Sequence, residues 1–140
     1  MNFHFTNSPS KADIDFLYNE LREFNTKYFK ILNESEFCIF AKGENGEYIA
    51  GVYGKIIFSV ININYLWVSE SYRSQGLGKA LIQRVELESK IYGVEKIFVE
   101  TYTFQAVNFY LKLGFKEVGR YTDYPKVGID KVMFQKSVNN

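Results

Sequence analysis

The 140-residue chain has few of the residues that form disulfides or interrupt helices and strands, and it has no large excess of one charge. It contains one cysteine, two prolines and one histidine, and its 17 basic and 16 acidic residues leave a formal net charge of +1 at pH 7. The single cysteine, Cys38, excludes an intrachain disulfide, and no cysteine and histidine cluster has the spacing of metal ligands. We therefore expect a reducing, cytoplasmic setting and no metal centre, and we expect Cys38 to be a core residue.

The weak net charge and the short apolar runs also limit the partners. Binding to a nucleic acid backbone or an anionic membrane surface requires a basic excess that this chain lacks. No segment approaches the roughly 18 consecutive apolar residues of a membrane span. The amino terminus also lacks a basic stretch followed by an apolar one, so no export signal is indicated. Neither a nucleic acid nor a membrane is therefore expected as a partner.

The composition is typical of one folded domain covering residues 1–140. Hydrophobic residues make up 46% of the chain and charged residues 24%, and polar low-complexity tracts are absent. A chain of this length buries about two thirds of the surface that its unfolded state exposes. The sequence thus predicts a real hydrophobic core without disulfides or metal.

The hydrophobic periodicity predicts an alternation of strands and helices. After a short opening strand, Ser8 and Pro9 have the pattern of a helix start, and a second helix is expected from Phe24 to Leu32. The further predicted elements are a hairpin of strands 37–41 and 48–58, a strand at 61–68, a helix at 77–91, a strand at 96–101, a helix at 104–113 and strands at 115–121 and 131–136. This order predicts a mixed α/β fold with helices on the faces of a sheet.

The strand at 61–68 has two distinct faces. Strict alternation would place Ile61, Ile63, Tyr65 and Trp67 on one face and Asn62, Asn64, Leu66 and Val68 on the other. Two amide side chains are therefore expected to point in one direction from this strand.

A glycine-rich run, Arg73-x-x-Gly76-x-Gly78-Lys79, lies between this strand and the helix at 77–91. Glycines allow close backbone approach, and the amino terminus of a helix offers unpaired N–H groups, so the run is a candidate phosphate site. A Walker loop is excluded because Ala80 stands where Ser or Thr is required. A dinucleotide fingerprint lacks its third glycine, since that position is Leu81. On these residues alone, the alternative that the run is a turn with a purely structural role is also possible.

A second motif, Ala106-x-x-x-Tyr110-x-x-x-Gly114-Phe115, follows one strand later. Together, the two motifs resemble the GNAT superfamily of N-acetyltransferases, most specifically over residues 65–115. The resemblance implies a mixed, mostly antiparallel central sheet that splays between two parallel strands, here 61–68 and 96–101, with helices on both faces. It further implies acetyl-CoA as the co-substrate, bound in the splay.

The resemblance also assigns the residues that bind acetyl-CoA. The backbone of Leu66, Trp67 and Val68 would pair with the pantetheine arm like an added strand. Arg73 and Lys79 would contribute side chains to the pyrophosphate, and Thr103 would contact pantetheine or cap the following helix. The pyrophosphate would bind to the backbone amides of Ser74, Gln75, Gly76, Leu77, Gly78 and Lys79.

Tyr110 matches the family position of a general acid that protonates the departing CoA thiolate, although a core aromatic residue is the alternative. No base is evident at the matching positions, because the amides of Asn62 and Asn64 cannot accept a proton from an amine. Glu100 is the preferred carboxylate, and Glu70 is the second choice. Asn62 and Asn64 would instead order a water or bind the substrate.

The acceptor side is open on sequence alone. The wall of the substrate pocket is expected to include Tyr28 and Tyr124, since aromatic walls suit an amine. The implied function is acetyl transfer to the primary amine of a small molecule or peptide. The alternative is a non-catalytic CoA-binding or regulatory module of the same fold. The last strands would offer an edge for a homodimer.

Overall fold

The structure of the protein, a computed structural model, describes residues 1–29 and 33–138. The chain divides into two compact units, Met1–Leu32 and Asn33–Asn140. The expectation of a single domain over residues 1–140 stays a prediction.

The first unit contains one helix among its described residues, α1 (Lys11–Asn25). Its N-cap is Ser10, whose Oγ accepts the N–H of Asp13 at 3.1 Å. The predicted start at Ser8 and Pro9 is therefore wrong by two residues. The predicted second helix is also wrong in its described part, because Phe24 belongs to α1 and residues 26–28 form a turn, while Leu32 lies outside the described residues. Residues 1–6 have no regular structure, which contradicts the expected opening strand.

The second unit is built on a six-stranded sheet. Its strands lie in the order β1-β2-β3-β4-β6-β5, and every neighbouring pair is antiparallel except β3 and β4, which are parallel. The strands are β1 (Glu34–Lys42), β2 (Tyr48–Ile57), β3 (Val60–Val68), β4 (Lys96–Tyr102), β5 (Lys116–Tyr121) and β6 (Lys131–Ser137); the helices are α2 (Leu77–Ile91) and α3 (Val107–Lys112), with a short 3₁₀ turn at Glu70–Tyr72. This arrangement confirms the predicted mixed, mostly antiparallel sheet.

Both helices of the second unit pack on one face of the sheet. On that face, Ile63, Val99 and Phe134 are neighbours across β3, β4 and β6, and all three are buried. Tyr110 of α3 contacts the Phe134 ring at a centroid distance of 5.9 Å. Lys136 of β6 reaches both helices, since its Nζ pairs with Glu86 of α2 and donates to the carbonyl of Leu113 after α3 at 2.6 Å. Helices on both faces of the sheet stay a prediction.

A β-bulge in β3 separates its paired half from its free half. Tyr53 of β2 lies opposite Tyr65, and the next residue, Gly54, lies opposite Ile63, so Asn64 is an extra residue in β3. The parallel pairing of β3 with β4 ends at Ile63 and Val99, immediately before the bulge. Because a bulge bends its strand and increases the local twist, it accounts for the divergence of β3 from β4 at this point. The predicted splay between two parallel strands is thus present.

The bulge also overturns the predicted alternation along β3. An extra residue reverses which side chains point inward, so Leu66 and Val68 pack against the core, as Ile61 and Ile63 do before the bulge. Tyr65 and Trp67 were expected on the face of Ile61, but they are 71% and 49% exposed.

Cys38 is exposed on β1, so its expected core position is wrong. In β1 the inward positions go to Phe37 and Ile39, which pack against the core, and Cys38 falls between them on the opposite face. Strands β1 and β5 form the two edges of the sheet. Within residues 1–29 and 33–138, no helix combines the length and the apolar character needed to cross a membrane.

Candidate active site

The glycine run forms the connection from β3 to α2. Ser74 and Gly76 both adopt left-handed backbone conformations, with φ of 62° and 86°. Gly76 is the N-cap of α2, and Ala80 makes the first helical hydrogen bond, to the carbonyl of Gly76 at 3.0 Å. The N–H groups of the first turn therefore have no carbonyl one turn earlier to bind, and they give this end of α2 a positive polarisation.

The two glycines of the run have different surroundings. A Cβ at Gly76 would meet no atom within 4 Å, so this glycine provides the left-handed conformation beside open space. A Cβ at Gly78 would lie 3.2 Å from the ring of Phe109. Gly78 thus allows α3 to approach the first turn of α2, whereas Gly76 leaves room in front of the exposed N–H groups.

Arg73 and Gln75 brace this loop. The Nε of Arg73 donates to the carbonyl of Val68 at 3.1 Å, and the Nε2 of Gln75 donates to the carbonyl of Ser71 at 3.3 Å. A guanidinium has five N–H donors, so Arg73 retains others for an anion. The side chain of Gln75 therefore has a loop-bracing contact that the sequence did not predict.

Beyond the bulge, the backbone of β3 is paired on one side only. Leu66, Trp67 and Val68 pair with β2, and the pairing with β4 has already ended. The edge that faces β4 can accept an extended ligand as a further strand. The open strand edge, the uncovered α2 terminus and the space beside Gly76 together fit the pantetheine arm and pyrophosphate of a coenzyme A ligand.

Tyr110 lies in the core between the sheet and α3. Its ring makes edge contacts with Phe109 and Phe115, and only 4% of the residue is exposed. Burial raises the pKa of Tyr110 to about 12. Among the described residues, the Tyr110 hydroxyl has no hydrogen-bond partner. Every fully buried side-chain oxygen of those residues does have such a partner, so the Tyr110 hydroxyl is not fully buried. The hydroxyl oxygen therefore keeps some exposure to solvent.

The loop from β4 to α3 is organised by side chains that the sequence did not single out. The Oγ1 of Thr101 accepts the N–H of Ala106 at 3.2 Å, and the Oε1 of Gln105 accepts the N–H of Tyr102 at 3.0 Å. Thr103 does not cap α3: its Oγ1 accepts the N–H of Asp130 at 3.2 Å and so ties this loop to the start of β6. Its contact with pantetheine stays a prediction.

A cavity of about 800 Å³ lies beside the opening between β3 and β4. Asn62, Asn64 and Glu100 all line it, so the structure brings together the two amides and the preferred carboxylate. Glu100 forms an ion pair with Lys131 of β6, with 2.9 Å between Oε2 and Nζ. Hydrogen bonding to Glu100 is the main cause of the raised pKa of Lys131. The sequence did not predict Lys131, because its strand lies far from the motifs along the chain.

Tyr124 is near the same pair, since the Nζ of Lys131 lies 5.5 Å from its ring centroid. Asp130 holds the preceding turn: its Oδ1 accepts the N–H of Asp123 at 3.0 Å, and it pairs with Arg120. These two contacts, the Asp123 N–H first and the Arg120 guanidinium second, lower the pKa of Asp130. Tyr28 belongs to the first unit, and its role in the substrate wall stays a prediction. Glu70, the second choice of base, is exposed in the 3₁₀ turn.

Known proteins match this chain in sequence and in structure. A family model described as the acetyltransferase (GNAT) family matches residues 6–115. A blasticidin-S acetyltransferase from Streptomyces morookaense is 34% identical over 90 residues, which cover 64% of this chain and 66% of that protein. The chain thus spans just under two thirds of the length of this curated relative.

Solved structures share the fold. An acetyltransferase from Bacillus cereus ATCC 14579 superposes with a TM-score of 0.84 at 29% identity, covering 96% of this chain and 97% of that one. An aminoglycoside 6'-N-acetyltransferase complexed with coenzyme A superposes with a TM-score of 0.67 at 17% identity, covering 100% and 98% of the two chains. The second likeness concerns the fold alone.

Proposed function

Because the chain belongs to the acetyltransferase (GNAT) family, we propose that it transfers an acetyl group from acetyl-CoA to a primary amine by direct attack. Tyr110 acts as the general acid on the CoA thiolate. The acceptor belongs to a small molecule or a peptide, and the reaction takes place in the cytoplasm.

One observation carries this proposal: the open edge of β3 ends at the uncovered amino terminus of α2. The free backbone of Leu66–Val68 and the N–H groups from Ser74 to Lys79 follow each other along the chain, and Arg73 joins them through its bond to Val68. An extended amide arm that ends in a pyrophosphate matches this sequence of sites. A free phosphate would need only the second of them.

Acetyl-CoA, when bound, supplies an acyl group activated as a thioester. The residues of this chain orient it, exclude water and move protons. Backbone groups of β3 hold the pantetheine amides, and the first turn of α2 holds the pyrophosphate charge. An N–H of the free half of β3 also polarises the carbonyl of the acyl group.

The buried environment of Tyr110 suits a proton donor. With a pKa of about 12 it stays protonated at neutral pH. The rise of about two units above a free phenol weakens it as an acid by about 3 kcal/mol. The same desolvation raises the basicity of a sulfur that leaves beside it, so the proton transfer stays close to balanced. The hydroxyl keeps an accessible side, as a proton donor to a ligand requires.

Glu100 is the proposed base for the amine. It lines the cavity beside the strand opening, with Asn62 and Asn64 near it. Its ion pair with Lys131 holds the carboxylate in place. An amine that enters as an ammonium can pair with Glu100 and pass its proton there or to a water held by the amides.

The test is a thiol-release assay on a panel of amines, run beside calorimetry of CoA binding. Turnover that depends on acetyl-CoA, together with CoA binding weakened by Gly76→Val, is the expected result. CoA binding without thiol release on any amine would contradict the transferase and favour the non-catalytic CoA-binding module. No CoA binding at all would contradict both.

A further inference from the structure

The cavity beside the strand opening carries one charge of each sign. Among its lining residues within 33–138, Glu100 and Lys131 are the two charged ones. The remaining lining residues are amide, hydroxyl, aromatic and aliphatic. The wall that an acceptor meets is therefore neutral overall but strongly dipolar.

The ammonium group of Lys131 is stabilised by aromatic rings as well as by Glu100. The Nζ of Lys131 lies 5.9 Å from the ring centroid of Tyr102 and 5.5 Å from that of Tyr124, in addition to its contact with Glu100. Aromatic faces attract an ammonium. Lys131 can therefore stay where it is when Glu100 turns to another cation.

The charges of the wall discriminate between acceptor classes. A polycation would bring several positive charges to a single carboxylate and would place some of them against Lys131, which costs binding free energy. A simple amine would pair with Glu100 but leave Lys131 without its anion. A molecule with both an ammonium and a carboxylate gives each wall residue a partner of opposite charge.

We propose that the acceptor is a zwitterion of the α-amino acid type, its ammonium on Glu100 and its carboxylate on Lys131; this rests on the proposed transferase function. Since only 2.9 Å separates the Nζ of Lys131 from the Oε2 of Glu100, the two charges of the acceptor must also be close neighbours. In an α-amino acid one carbon separates the groups that carry them. The aromatic and aliphatic part of the wall takes the side chain.

The proposed transfer conserves atoms and charge. The nitrogen of the acceptor loses two protons, through Glu100 to solvent, and forms a bond to the acyl carbon. The bond from that carbon to sulfur breaks, and the sulfur keeps the electron pair. Tyr110 delivers a proton to the sulfur and is reprotonated from solvent. The products are an N-acetyl amino acid, free CoA thiol and one proton released per turnover.

The experiment compares amino acids with the amines obtained by removing their carboxylate. The pairs are phenylalanine with phenethylamine, leucine with isopentylamine, and lysine with cadaverine, and spermidine serves as the polycation. We expect kcat/KM for the amino acid of at least one pair to exceed that of its amine by about tenfold or more, the usual effect of one charge-assisted contact. Spermidine should be the poorest acceptor.

Variants of Lys131 test the assignment of the positive charge. Lys131→Met should lower kcat/KM for the amino acid about tenfold more than kcat/KM for the matched amine, because both acceptors lose the ion pair that holds Glu100 and only the amino acid also loses the partner of its carboxylate. Lys131→Arg should keep the preference. Lys96→Met is the matched control, because Lys96 lies in the same β4–β6 strand pair, opposite Ser137, and outside the cavity wall.

Calorimetry of amino acid binding in the presence of CoA separates this inference from the transferase function. Phenylalanine binding that Lys131→Met weakens, without thiol release, would support the zwitterion site and contradict the transferase. Equal kcat/KM for amino acids and their amines, or a preference for spermidine, would overturn the zwitterion site and leave the transferase standing. A protein that neither binds nor acetylates any of the amino acids would also overturn the zwitterion site.

Discussion

At the scale of single residues, Tyr110 combines a structural position with a proposed chemical one. On sequence alone it could have been either a core aromatic residue or a general acid. The structure places its ring in the core against Phe115 and Phe134, while its hydroxyl stays accessible and without a protein partner among the described residues. The two readings are therefore compatible, and a substitution that removes only the oxygen separates them.

Tyr110→Phe is expected to lower kcat by more than about tenfold, because general acid catalysis of this kind contributes about 10²–10⁴-fold. The affinity for CoA should stay near that of the wild type, since the ring and its packing remain. Steady-state thiol release and calorimetry measure the two quantities. A variant that binds CoA normally and keeps its turnover would remove Tyr110 from the mechanism.

The environment of a side chain is not determined by its neighbours along the chain, as three residues show: Lys131, Thr103 and Cys38. The partner of Lys131 is Glu100, and the partner of Thr103 is the backbone of Asp130, 27 positions away. Cys38 is apolar enough for a core, but the register of an edge strand placed it outside. Each outcome depends on strand pairing, which the local pattern does not encode.

At the scale of elements, the two ends of α2 provide a matched pair of glycines. Gly76 before the helix and Gly93 after it both have positive φ, 86° and 68°, and a Cβ at either would meet no atom within 4 Å. Gly76→Val and Gly93→Val should therefore each lower the free energy of unfolding by about 1–2 kcal/mol, the usual cost of a left-handed residue with a Cβ.

Only Gly76→Val should also affect the co-substrate, because its side chain enters the space in front of the N–H groups of α2. We expect its KM for acetyl-CoA to rise by about tenfold or more, through lost charge-assisted hydrogen bonds. Urea unfolding and acetyl-CoA titrations of both variants check this. Equal KM values for the two would contradict the assignment of the pyrophosphate site.

The bulge at Asn64 is the second element-scale feature with a testable role. Deleting Asn64 removes the extra residue, so β3 would become a regular strand that keeps its present register with β2 and keeps Leu66 and Val68 inward. We expect the deletion to keep the fold and to abolish CoA binding, because β3 no longer bends away from β4, whereas Asn64→Ala keeps CoA binding because the bulge remains. A deletion variant that binds CoA like the wild type would show that the bulge does not open the strands.

At the scale of the whole molecule, the raised pKa of Tyr110 links stability to alkaline pH. The folded protein favours the neutral phenol, so this stabilisation is complete below pH 10, where an unfolded tyrosine titrates, and is lost as the pH rises towards 12. The full effect is about 3 kcal/mol, and about half of it should be gone at pH 11.

Tyr110→Phe should therefore lose less stability than the wild type between pH 9 and pH 11, by about 1.4 kcal/mol. Urea unfolding of both proteins at the two pH values measures this difference. Tyr65→Phe is the control, because Tyr65 is 71% exposed and stacks on Tyr53 in a contact that Phe retains. An identical pH dependence for Tyr110→Phe and the wild type would mean that the phenol is not desolvated.

Most of the second unit was predictable, because its elements carry strong local signals. The α2 helix runs from Leu77 to Ile91 as its apolar stripe predicts, and Gly93 and Gly114 follow α2 and α3 with positive φ. The start of α1 was misplaced because two serines compete for the N-cap, and only Ser10 accepts the N–H three residues on. The predicted side-chain orientation along β3 is wrong from Asn64 onward, since a bulge has no marker in the pattern of apolar residues.

The sequence by itself determined the order of the elements of the second unit, the glycine-rich turn before α2 and the family, because these depend on residues close together in the chain. Only the tertiary structure decided where β3 leaves β4 and which charges face the cavity. The opening depends on a register shift between β2 and β3, and the pairing of Glu100 with Lys131 depends on β6 lying beside β4. Both arise from contacts between segments that are distant in sequence, where local periodicity carries no information.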